Sequence, residues 1–155
     1  MDYILISHSI LRWGVLIFGL WAVFSALGGT FGRRAFTGSD KRAGMLFMIF
    51  CDLQLILGLI LYFKNKWFDV LKEFPKETMK NAPVRFFAME HGFAMILAWL
   101  LVHVGYSSVK KANTDAQKHK RALLFFGIAF LIILAMIPWP FREIGIAREW
   151  WPKFS

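Results

Sequence analysis

The chain has 155 residues, of which 57% are hydrophobic and 19% charged, with a mean hydropathy of +0.50 and a net charge of +9. That balance excludes a water-soluble globule and indicates a membrane protein with a single domain over residues 1–155. The positive charge does not point to nucleic acid, because Lys and Arg fall mainly between the apolar runs and no groove-reading motif surrounds them.

Apolar runs occupy residues 3–29, 43–63, 84–106 and 122–137. They match the helix length, about 20 residues, that crosses a hydrocarbon core. The expected fold is all-α: a transmembrane up-down four-helix bundle. Met1-Asp2-Tyr3 lacks the basic start of a cleavable signal, so the first run is expected to remain as a mature helix. On that helix His8 shares a face with Ile4, Arg12, Val15, Gly19, Ala22 and Ala26, at 3.6 residues per turn.

Residues 30–42 read as a short basic loop, with Gly32 and Gly38 as breakers and Asp40 as its one acid. The second run has a smaller, more polar face through Gly44, Cys51, Gln54, Gly58 and Tyr62. Cys51 reads as packing. Asp52 is expected to turn toward a neighbouring helix, since a carboxylate facing lipid near midplane costs about 2.5–3.5 kcal/mol.

The connection over residues 64–83 is too long for a simple turn. Trp67 to Phe74 has the pattern of an amphipathic helix lying in the interface and ending before Pro75, and Pro83 suits the first turn of the third span. A regular helical wheel then puts Val84, Phe87, Ala94, Met95, Ala98, Val102 and Gly105 on the face of His91. Residues 107–121 form a second basic connection with Asp115 as its acid, and His119 is expected to be solvated within it. The fourth run is almost purely apolar and stops at Pro138-Trp139-Pro140. The tail, residues 141–155, is expected to lie along the membrane surface.

Basic residues divide about evenly between the two sides, but on one side they are packed into the two short loops, which the positive-inside rule assigns to the cytoplasm. Both termini of this multi-pass inner-membrane protein then face outward. The ends of the helices bearing His8 and His91 do the same, with Trp67, Trp139, Trp150 and Trp151 as an aromatic belt.

An ionisable group inside an apolar span faces protein and marks function by default. His8 and His91 lie at similar depth on the first and third helices, which are diagonal in an antiparallel bundle and therefore about 14 Å apart if neighbours are about 10 Å apart. A flat macrocycle with an imidazole on each side of its metal fits that gap, and Gly19, Ala94 and Ala98 leave room beside it. The expectation is one haem b with His8 and His91 as iron ligands. Arg12 would pair with a propionate or with Asp52. Glu90 is next to His91 in the chain but about 100° away on the helix. The bland alternatives are interfacial histidines, a snorkelling Arg12 and small-residue faces that serve helix packing alone.

His8-Ser9-Ile10-Leu11-Arg12, Asp52 to Phe63, Arg85 to His91, Gly105 to Lys111 and Ile137 to Phe141 together resemble small bacterial four-helix membrane proteins commonly labelled cytochrome b. The likeness covers nearly the whole chain. The family's pattern has His where this chain has Asp52, and often where it has Tyr106, so the resemblance extends to His8 and His91 and not to a second haem. The leading expectation is an integral membrane electron carrier with one b-type haem, with quinone or a redox partner protein as the candidate partner, although no residue pattern specifies a quinone site. The competing expectation is a cofactor-free membrane protein, either a proton-coupled carrier or an accessory subunit of a larger complex, with Asp52, His103, Gln54 and Glu90 as polar or proton sites. The sequence leaves enzyme activity and an oligomer open.

Overall fold

In hydrocarbon every backbone amide must find its partner within the chain, so apolar runs of this length fold as helices. The computed structural model describes residues 2–143 and 145–151. Helix α1 spans Tyr3–Gly32 and α2 spans Gly38–Lys64. Three short helices follow, α3 Trp67–Glu73, α4 Pro75–Lys80 and α5 Ala82–Arg85. A π-helical turn, Phe86–Glu90, joins α5 to α6, His91–Lys110, and α7 covers Asp115–Met136. The four candidate spans are Tyr3–Gly32, Gly38–Lys64, Ala82–Lys110 and Asp115–Met136. The protein is therefore an all-α, four-span membrane protein whose short helices lie between the second and third spans.

Local chemistry explains the boundaries. Asp2 caps α1 by accepting the amides of Ile4 at 3.2 Å and Leu5 at 3.3 Å. Lys64, at the end of α2, approaches Asp2 at 2.9 Å, and this contact holds the Asp2 carboxyl below its usual range. The expected glycine breakers are not where the chain turns. Gly32 and Gly38 lie inside helix ends, and Arg33 takes the left-handed conformation that closes α1. Thr37 then starts α2, its amide bonded to Asp40 Oδ2 at 2.7 Å. The basic connections shrink accordingly, since α6 runs to Lys110 and α7 begins at Asp115. Asn81 accepts the Val84 amide and Pro83 sits in the first turn of the third span, as its fixed φ favours.

The π turn changes which residues of the third span face inward. A wider turn inserts a residue into the helical count, so Phe86 and Ala88 are buried and Phe87 is not, contrary to the uniform wheel. Past the turn the expected face is kept, with Ala94, Ala98, Val102 and Gly105 buried.

Packing places α1 and α6 diagonally: each lies against α2 and α7. Lipid offers no hydrophobic drive between helices, so close approach at small residues has to supply contact. Here aromatic rings fill the dips. Phe130 and Phe47 lie over Gly19, Phe126 over Gly44, and Phe125 and Phe126 over Gly105. Phe47 meets Phe126 and Phe130 edge-on at 5.9 and 6.2 Å. Cys51 is a free thiol within this core.

Gly28 and Gly29 provide an internal comparison. A methyl group at Gly28 meets nothing within 4 Å, whereas one at Gly29 overlaps the His119 ring. Gly28→Ala is expected to leave thermal stability in detergent unchanged or raise it by up to about 1 kcal/mol. Gly29→Ala lowers it by about 1–3 kcal/mol through overpacking. Equal melting temperatures for the two variants would contradict this packing.

Candidate functional site

Polar atoms that a membrane bundle buries without a partner are costly and mark places of interest. Among the described residues five such side-chain atoms stand out: His8 Nδ1, Arg12 Nε, Gln54 Oε1, Thr30 Oγ1 and His119 Nδ1. They fall into two groups. Three are near the start of α1 and two are near its end, with the sealed aromatic core between them.

The first group surrounds the paired histidines. Gln54 on α2 donates to the His8 backbone carbonyl at 3.0 Å, and Gly58, one turn on, brings the α2 backbone against the His8 ring. The small, polar face of α2 thus points into the bundle, and Tyr62 continues it by donating to the Ala88 carbonyl at 2.8 Å. His91 Nδ1 is 2.8 Å from the Met136 carbonyl of α7. A carbonyl can only accept, so Nδ1 carries the proton and Nε2 keeps its lone pair. The Phe86 ring backs His91 at 5.6 Å. His8 and His91 stand on the diagonal helices α1 and α6 at this end of the bundle.

Arg12 does not pair with Asp52. Its guanidinium donates to the backbone carbonyls of Trp150 at 2.8 Å and Glu149 at 3.4 Å, which pins the C-terminal segment across this end of the bundle. Trp13 stacks on Trp151 at 5.2 Å, Trp139 lies 5.6 Å from Trp150, and Trp67 stacks on Phe87 at 5.8 Å. The aromatic residues expected as a belt therefore gather at the His8 and His91 end, joined by Trp13. Ile144 and residues 152–155 of the expected surface tail lie outside the described residues. Glu90 pairs with Arg85 at 2.6 Å. Ala94 and Ala98 follow His91 on the inward face of α6, while the space at Gly19 is taken by Phe130 and Phe47.

Asp52 turns to a neighbouring helix, as its cost in lipid requires. Its Oδ1 lies 2.7 Å from His103 Nε2 and accepts from Trp99 Nε1 at 2.6 Å. Trp99 and His103 are one turn apart on α6, so one helix face supplies both partners. An open cleft of about 480 Å³ runs from His103 past Ser107 and Ser108 to Lys111 and Arg121.

At the opposite end two residues have roles that sequence reasoning missed. His119 is not solvated: it lies inside α7 with no exposed surface, set into the gap left by Gly29 and 5.1 Å from the Phe36 ring. Asp40 is likewise buried. It accepts from Arg34 at 2.5 and 2.8 Å, from the Thr37 hydroxyl at 2.8 Å and from the Ser25 hydroxyl. This carboxylate raises the Arg34 guanidinium above its already high value. One sequence signal for Asp40 was available, the Thr-x-x-Asp spacing of an N-cap.

No protein-family model matches this sequence, and neither the curated proteins nor the solved structures contain a match.

The Asp52 network supports a direct energetic test. His103→Leu strands part of the Asp52 carboxylate and is expected to destabilise the protein by about 1–3 kcal/mol. Replacing both residues, Asp52→Leu with His103→Leu, removes the stranded group and recovers most of that loss. Thermal unfolding of the three proteins in one detergent reads the cycle, and a double variant less stable than the single one would refute the pairing.

Proposed function

We propose that this four-span protein is a b-type cytochrome-like electron carrier that holds one haem between α1 and α6 by His8 and His91. The observation that carries the proposal is the pair itself: two imidazoles on diagonal helices, one proton-fixed by the Met136 carbonyl and the other with its Nδ1 buried and unpartnered. A carbonyl on the far ring nitrogen is the usual means of orienting a ligating histidine and raising its basicity. Gly58 lets α2 close on His8, and Ala94 and Ala98 keep the α6 face narrow below His91. Arg12, anchored to the C-terminal segment, places a cation where propionates would be compensated. The resemblance to small bacterial proteins labelled cytochrome b agrees with the same two residues.

When bound, the haem supplies a one-electron iron couple whose potential depends on its axial ligands and surroundings. The chain supplies the rest. The apolar spans exclude water, His91 is held in one tautomer, and the aromatic end carries exposed Trp150 and Trp151, where an electron would pass to a quinone or a redox protein. The positive-inside rule puts this end on the outer side of the membrane.

A reduced-minus-oxidised absorption spectrum of the protein purified from membranes tests the proposal. The expected result is a b-type α-band that is lost in His8→Ala and in His91→Ala and kept in His103→Ala. An intact, helical protein without the band, or a band that survives in either of the first two variants, would refute the ligand assignment.

A second reading rests on Asp52, whose single oxygen is shared by His103 and Trp99 beside a cleft leading to Lys111 and Arg121. In that reading the protein is a cofactor-free proton carrier, with the proton exchanged between the Asp52 carboxylate and His103 Nε2. Proton flux into liposomes containing the protein would then fall to background in Asp52→Asn. Flux unchanged by that substitution, or absent from the unsubstituted protein, removes the reading.

A further inference from the structure

The end of the bundle opposite the paired histidines is hollow. All four long helices line a cavity of about 430 Å³ there, in the size range of small-molecule sites. Its depth is apolar, formed by Ala22, Ala26 and Ala122 with Phe126 beneath them, because small residues on α1 and α7 lack the aromatic filler that seals the middle of the bundle. Its mouth is basic. Lys41, Lys110 and Lys118 come from three different helices.

Two of the three charges at the mouth, those of Lys41 and Lys110, are not cancelled locally. Each nearby carboxylate already has its own cation, Asp40 with Arg34 at 2.5 Å and Asp115 with Lys118 at 3.3 Å. No carboxylate pairs with Lys41 or Lys110 among the described residues. The wall also contains His119, fully enclosed and with an unpartnered Nδ1. Phe36 forms one lip, with its ring under the Lys118 ammonium at 5.5 Å.

From this arrangement we propose that the cavity binds a phosphate-bearing anion, its head held by Lys41 and Lys110, with the Asp115-paired Lys118 beside them. The chemistry of the head is common to an anionic phospholipid and to free phosphate. The apolar depth suits a lipid, whose acyl chain would replace the contacts that small residues leave unmade. Basic pockets between spanning helices are a known form of headgroup recognition.

Native mass spectrometry of the full chain in detergent, with phosphatidylglycerol added, provides the test. One lipid is expected to remain bound per chain, while zwitterionic phosphatidylcholine is not retained. At about 1 kcal/mol per lysine, Lys110→Gln weakens phosphatidylglycerol about fivefold and the double variant Lys41→Gln with Lys110→Gln about thirtyfold. Lys72→Gln with Lys76→Gln removes the same charge from the opposite connection and leaves binding unchanged. Lys41 and Lys110 are both exposed, so helical content stays that of the unsubstituted protein. Loss of binding in the Lys72 and Lys76 variant as large as in the Lys41 and Lys110 variant would overturn the site, since it would trace binding to net charge alone. Equal retention of phosphatidylcholine would overturn it too. Inorganic phosphate that displaces the lipid upholds the site with free phosphate as its occupant, and phosphate that fails to displace it upholds the lipid.

Discussion

Hydrocarbon offers no hydrogen bond, and this constraint governs where the chain can place each polar group. Through the middle of the bundle the answer is to have almost none. Rings of Phe47, Phe126 and Phe130 press into the glycines of facing helices, and contact replaces the hydrophobic drive that lipid does not supply. Asp52 is the exception, and it is matched by two donors from one face of α6. The buried atoms without partners collect above and below that seal, at His8, Arg12 and Gln54 on one side and at Thr30 and His119 on the other. Both proposed ligand sites are at these places.

Much of the architecture was legible because a membrane imposes lengths and faces directly on sequence. Four apolar runs became four spans, and the inward faces of α1 and α2 followed a regular wheel from Arg12 to Ala26 and from Gly44 to Tyr62. The short helix before Pro75 and the inward turn of Asp52 followed from amphipathic pattern and from the cost of a carboxylate in lipid. What a wheel cannot register is a change of pitch. Nothing in Phe86-Phe87-Ala88-Met89-Glu90 announces a π turn, and the error at Phe87 comes from counting through it.

The connections were harder to read for another reason. Residues rich in Lys and Arg resemble a solvated loop, yet helix extension by a turn or two costs little when the polar side chains still reach water. His119 illustrates this: its sequence neighbours are lysines, but on α7 it faces the opposite way and fills the space at Gly29. Asp40 is similar, an isolated acid among cations that becomes the tie between Ser25, Arg34 and the start of α2. Neither contact is encoded by spacing alone, since each depends on which glycine or hydroxyl a different helix brings near.

The two ends of the molecule are consequently different in chemistry. One is aromatic, closed by the C-terminal segment through Arg12 and the tryptophans, and holds the paired imidazoles. The other is basic and open to a cavity. Electron paramagnetic resonance of the oxidised protein, purified from membranes in mild detergent, distinguishes a bis-imidazole iron from every other use of His8 and His91. The expected signal is low-spin ferric iron at one per chain. A helical, monodisperse protein that carries no iron, or only high-spin iron, would contradict the assignment of those two histidines.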